Sequence, residues 1–246
     1  VTGVLLSSAL AINIGFDNYA TPRWRGPILA DRVVHEGLRA ETPTGIKVAG
    51  RISDALVGSL ILTPLVVEPT LIYLKSDDAS AAGRLALINA QSMALVLFTT
   101  SAIKYAVGRQ RPPLEKCWED PYADPSCEKR ETVSFPSGHS SMAFVGAGLI
   151  CLNHEVFSPL GGAWDRVACY GALGAAASTG VLRMVAHQHY LSDVLVGAAL
   201  GLAAGYLLPK VLYFGIRDDD ALLAENSGAL APPGAPIQLI SLSTLW

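Results

Sequence analysis

Apolar residues in this chain gather into long runs divided by short polar breaks. Five runs follow one another: 55–67, interrupted by Pro64 and extended past Glu68-Pro69 to Leu74; 85–103; 140–153; 167–182; and 194–214, where Lys210 is the only charge. Residues 85–103 carry no charge at all, and at ~1.5 Å per residue such a run spans about 30 Å of hydrocarbon. Runs 140–153 and 167–182 fall short of the ~17–25 residues a span usually needs. All five lack the polar face of a soluble surface helix. The pattern predicts an all-α fold, a helical bundle of about five or six apolar helices, membrane-embedded or membrane-associated, with its chemistry at one end.

The flanks are different in kind. In residues 15–50, Thr21-Pro, Gly26-Pro and Thr42-Pro-Thr-Gly are breakers. Between them Ile28, Leu29, Val33, Val34 and Leu38 have the spacing of one short amphipathic helix at a surface or interface, with His35 solvated. Residues 1–14 are apolar without a basic flank, and read equally as a signal remnant, a truncated membrane helix or a core helix. Beyond Arg217 the chain is rich in Pro, Gly and Ala, and 237–246 alternates as a short strand would. The expected organisation is a single helical domain over 1–216 and a tail over 217–246.

Composition narrows the class. Of 246 residues 51% are hydrophobic and 16% charged, and the 23 glycines suit helices that pack closely. A net charge of −3 excludes an electrostatic hold on nucleic acid. Cys151 and Cys169 lie inside apolar runs and read as small core residues, whereas Cys117 and Cys127 bracket a polar loop. A disulfide between that second pair would require an oxidising compartment.

Three polar stretches interrupt the apolar pattern at what alternating helices make the same end. Ser134-Phe-Pro-Ser-Gly-His-Ser-Ser141 opens the 140–153 run, so Ser137 is a natural N-cap and the free N–H groups beside Gly138 suit an anion. Upstream, Lys104 and Arg111 are seven apart, two helical turns, and share a face before Pro112-Pro113. Downstream, Arg183 ends an apolar run, and His189 and Asp193 are four apart, neighbours on a helix.

Together these stretches resemble the signature of the type 2 phosphatidic acid phosphatase (PAP2) superfamily: Lys, six residues, Arg-Pro; Pro-Ser-Gly-His; then Ser-Arg, five residues, His, three residues, Asp. Lys104, Arg111, Pro112, Pro136, Ser137, Gly138, His139, Arg183, His189 and Asp193 fall on it, and Leu182 departs from it where serine is usual. The resemblance implies an acid phosphatase-like lipid phosphatase working without a metal or other cofactor. Its partners would be a lipid phosphate and the membrane.

Residue chemistry assigns the roles. Lys104, Arg111 and Arg183 neutralise a transferring phosphoryl group, with Ser137 and Gly138 completing the oxyanion site. Asp193 accepts a hydrogen bond from one His189 ring N–H, so the other nitrogen attacks phosphorus; His139 protonates the leaving oxygen and then activates water. His187 is placed in a packing or rim role. The active end is expected to face an extracytoplasmic, periplasmic compartment. Two other classes fit part of this pattern: a vanadium-dependent haloperoxidase, which vanadate-supported bromide oxidation would reveal, and a catalytically silent membrane bundle, which phosphate release from a lipid would exclude.

Overall fold

The computed structural model describes residues 22–114 and 132–215, together with Gly3. Residues 1–14, the tail 217–246 and the Cys117 and Cys127 pair therefore lie outside the described residues, Gly3 excepted. Seven α-helices appear among them: α1 Asp31–Leu38, α2 Pro43–Leu62, α3 Glu68–Ser76, α4 Ala79–Val107, α5 Gly138–Phe157, α6 Ala163–Val185 and α7 Leu191–Leu202. A π-helical turn at Thr63–Val67 joins α2 to α3, and two more carry α7 on to Phe214.

Local chemistry sets the helix ends. Thr42 accepts the Gly45 amide and Pro43 sits in the first turn, so the Thr42-Pro-Thr-Gly stretch expected to break the chain starts α2 instead. Asp78 accepts the amides of Ser80 and Ala81 to begin α4, and Gly108 at φ +58° ends it. Arg111 therefore stands beyond the helix, not two turns along the same face as Lys104. Pro64 and Pro69 have no N–H to donate, which accounts for the wider turn between α2 and α3. One carbonyl freed by Pro64, that of Leu60, meets Gly146, where a Cβ would lie 2.2 Å from it.

Helix α5 is the axis. Ala143, Val145, Ala147, Leu149 and Leu152 are fully buried there, against α2, α6 and the α7 extension. The 140–153 run is apolar all round because protein surrounds it, not lipid. By contrast Pro43–Ser76, Ala79–Val107 and Leu191–Phe214 are long and apolar enough to cross a membrane and leave Leu62, Leu74, Leu87, Leu195 and Leu207 exposed on their outer sides. Such leucines suit a hydrocarbon surround. Cys151 and Cys169, expected as separate core residues, form a disulfide between α5 and α6. Both fall on the facing sides of an antiparallel pair, which an apolar run does not disclose.

On α7 and the π-helical turn that extends it, Gly197, Gly201 and Gly205 lie about one turn apart and face α5; a Cβ on Gly201 would stand 2.5 Å from the Ser141 carbonyl and 2.7 Å from the Phe144 Cβ. Backbone cannot yield as a side-chain tip can. Gly201→Val is therefore expected to force α7 from α5 and to cost about 1–3 kcal/mol or more, read as a lowered unfolding temperature in detergent. An exposed control, Gly83→Ala, has nothing within 4 Å of the new Cβ and should leave that temperature unchanged or slightly higher.

Candidate active site

The three polar stretches meet at one end of the bundle. Backbone bonds tie them: the Ser134 amide donates to the Arg109 carbonyl at 2.9 Å, and the Ser137 amide to the Asp193 carbonyl at 2.9 Å. Lys104, Tyr105, Arg111, Val133, Gly138, His139, Arg183 and His189 line a cavity of about 230 Å³ between them. Lys104 comes from the last turn of α4, Arg111 from the segment after it, His139 and Gly138 from the first turn of α5, and Arg183 from the last turn of α6. His189 lies in the link to α7.

Neutral acceptors contact all three cationic groups, and Arg183 also meets the Asp54 carboxylate at 3.3 Å. Lys104 Nζ donates to the Val133 carbonyl at 2.7 Å, and Gln188 Oε1 accepts from Arg111 and, at 3.5 Å, from Arg183. Gln188 thus braces two guanidiniums, a role no spacing rule announces. Ser137 and Asp193, expected at the phosphate and on the histidine, stand behind the cavity. The Ser137 hydroxyl caps α5, accepting from the Ser140 amide at 3.3 Å and its hydroxyl at 3.0 Å, and is fully buried.

His189 keeps Asp193 within ion-pair reach, but its nearer Nδ1 partner is the Ser134 carbonyl. Its Nδ1 lies 2.8 Å from the Ser134 carbonyl and 3.7 Å from Asp193 Oδ2. A carbonyl only accepts, so Nδ1 carries the proton and Nε2 keeps its lone pair. The ring precedes α7 because Tyr190 is the N-cap, and Asp193 is spent within that cap, accepting the Tyr190 amide at 2.9 Å and the Ser134 hydroxyl at 2.6 Å. Asp193 therefore places the Ser134 segment that holds His189. Burial pushes the His189 imidazole down to about 3, helped by Lys104 and Arg111 and opposed by Asp193. The ring stays neutral through the mildly acidic range.

Sequence reasoning missed Arg109. It is fully buried, donates at 2.6 Å to both Asp31 and Asp193, and lies between the rings of Trp24 and Tyr190, 4.1 and 4.3 Å from their centroids. Burial would raise the Asp31 carboxyl, yet the Ile28 amide, Arg109 and Ser192 together hold it below its ordinary value. The signal available was a guanidinium between a glycine turn and the Arg111-Pro pair. His187 turns away from the cavity, its Nε2 2.9 Å from the Ala40 carbonyl. His35, expected solvated, is half-buried and packs edge-on against His187 at 5.1 Å.

His139 sits at the cavity mouth, outside the three candidate spans, with Nε2 2.9 Å from Asp54 Oδ1. Burial lowers its imidazole from the ordinary 6.5, as do Arg183 and Lys104, while Asp54 opposes them.

The PAP2 superfamily profile matches residues 85–216, which hold the cavity and the helices that frame it. Among curated proteins, the chain is 35% identical over 125 residues to a lipid A 1-phosphatase of Porphyromonas gingivalis, covering 51% of this chain and 23% of that one. It is 28% identical over 138 residues to a probable diacylglycerol pyrophosphate phosphatase of Schizosaccharomyces pombe, covering 46% of this chain and 48% of that one. The matches thus span less than half the length of either relative. Among solved structures, the fold matches a transmembrane PAP2 type phosphatidylglycerolphosphate phosphatase from Bacillus subtilis with a TM-score of 0.56 at 19% identity, over 84% of this chain and 93% of that one.

Replacing Arg109 with methionine would leave Asp31 and Asp193 buried without their shared cation. The expected cost is about 3–5 kcal/mol, seen as loss of folded protein in a thermal or denaturant series. An Arg109→Lys variant, which keeps one charge and loses the fork that reaches both carboxylates, should fall between the two.

Proposed function

Because the chain belongs to the PAP2 superfamily, we propose that it is a metal-independent, acid phosphatase-like enzyme that hydrolyses a lipid phosphate monoester or pyrophosphate through a phosphohistidine intermediate. The observation that carries this reading is one cavity lined by Lys104, Arg111 and Arg183 together with two histidines, one of them neutral with Nε2 unprotonated. A lipid substrate is supported by three helices long and apolar enough to cross a membrane below the cavity.

In this reading the three cations balance charge on the phosphoryl oxygens, and the first amides of α5 beside Gly138 add their partial positive charge. His189 Nε2 attacks phosphorus as the bond to the leaving oxygen breaks. His139 protonates that oxygen, then takes a proton from the water that cleaves the phosphohistidine. Asp193, 3.7 Å from the ring, stabilises the positive charge His189 acquires. The cations read phosphate and not the lipid attached to it, so phosphatidic acid, phosphatidylglycerol phosphate, undecaprenyl pyrophosphate and a lipid A phosphate are all candidate substrates. We place the active end on the extracytoplasmic side, a reading that rests on the sequence alone: Cys117 and Cys127 follow Arg111-Pro, and a disulfide between them would need an oxidising compartment. The Cys151–Cys169 bond lies toward the opposite end of α5 and carries no argument for this orientation.

Phosphate release from that panel in detergent should persist in EDTA; dependence on added magnesium or zinc would contradict the metal-free mechanism. His139→Ala should lose most turnover of an alkyl phosphate, about 10²–10⁴-fold, and far less with p-nitrophenyl phosphate, whose leaving group barely needs a proton. Because His139 acts as an acid and its imidazole lies below 6.5 in the free protein, kcat/KM should fall as pH rises through a limb below that value. Protonation of His189 should cause no loss between pH 7 and 5, since its imidazole is held at about 3.

A further inference from the structure

Asp54 belongs to none of the polar stretches, yet it contacts two residues that line the cavity, His139 and Arg183. It stands on α2, immediately before the apolar run that begins at Ala55, in a helix long enough to cross the membrane. Charges on such helices are costly and mark functional sites. Its Oδ1 lies 2.9 Å from His139 Nε2 and 3.3 Å from Arg183 Nη1, and the neighbouring Ser53 hydroxyl is 3.4 Å from the same Arg183 nitrogen. Its side chain is 61% exposed, so the carboxylate is not needed to fill the core.

The charged and titratable groups facing His139 are Lys104 from α4, Arg111 after it, Arg183 from α6, His189 before α7 and Asp54 from α2. Asp54 alone among these described residues is anionic. Without it, burial together with Arg183 and Lys104 would disfavour the protonated ring unopposed, at a position where the proposed chemistry needs an acid.

We propose that Asp54 is the positioning residue for His139: its carboxylate accepts the Nε2–H and leaves Nδ1 as the nitrogen that exchanges a proton with the leaving oxygen. This assignment rests on the phosphatase reading. In the first step the bond from His189 Nε2 to phosphorus forms, the bond from phosphorus to the leaving oxygen breaks, and that oxygen takes the Nδ1 proton of the His139 imidazolium. In the second, neutral Nδ1 takes a proton from water as the water oxygen attacks phosphorus and His189 leaves. Asp54 holds the Nε2 proton through both steps and neither gains nor loses one. The carboxylate also holds Arg183 toward the cavity before substrate arrives.

Two readouts test this on the full chain in detergent. Titration of isotope-labelled histidines by NMR, with the His139 signal assigned by its loss in His139→Gln, should show the imidazole titrating about half to one pH unit lower in Asp54→Asn than in wild type. The high-pH limb of kcat/KM for an alkyl phosphate should move down with it. Turnover of that substrate should fall about tenfold and that of p-nitrophenyl phosphate less than about threefold. Asp54→Glu, which keeps the carboxylate, should restore both readouts in part; loss of packing alone would not be reversed in this way. An unchanged His139 titration in Asp54→Asn would overturn the pairing whatever the activity. A shifted titration with an unmoved limb would overturn the positioning role. If the titration shifts and wild type releases phosphate from no ester, the phosphatase reading fails and the proton-donor role with it, while the ion pair itself stands.

Discussion

The arrangement at the active end depends on one buried guanidinium. Arg109 joins Asp31 at the start of α1 to Asp193 at the start of α7, and its backbone carbonyl receives the Ser134 amide. A guanidinium can satisfy two carboxylates at once because its donors form a rigid fork, and Trp24 and Tyr190 cover its faces. Ser134 in turn fixes the proton of His189 through its carbonyl and bonds Asp193 through its hydroxyl. The tautomer of the proposed nucleophile therefore follows from a network that never touches the cavity.

This network explains a division of labour that the spacing of residues does not show. Asp193 is four residues from His189, and on a helix that would put carboxylate and ring in contact. Because α7 begins only at Leu191, the ring stands in the approach to the helix and Asp193 caps it. The carboxylate orders the backbone around the histidine and supplies its field from 3.7 Å. Lys104 and Arg111 likewise converge on the cavity through the turn at Gly108, and not along one helical face.

Much of the fold was legible because burial in a bundle demands apolar runs: all five runs became helices, and the three polar stretches did gather at one end. What could not be read was which apolar helix faces lipid and which faces protein. Helices α5 and α4 have similar composition, and only packing shows that α5 is enclosed. Gly197, Gly201 and Gly205 carried a readable hint of close approach without naming the partner. Arg109 and Asp54 escaped because each pairs across a gap in sequence of many residues, where charge pairing follows the tertiary fold and no local period, and Gln188 because its neutral amide joins nearby Arg183 to the distant Arg111.

The central claim is that His189, neutral and with Nε2 unprotonated, receives the phosphoryl group. Rapid acid-free quenching of the enzyme with a labelled phosphate ester, followed by mass spectrometry of its peptides, reads this directly. The account predicts label on His189 in wild type, accumulation there in His139→Ala, and none in His189→Ala. Label on His139 or His187 would contradict it.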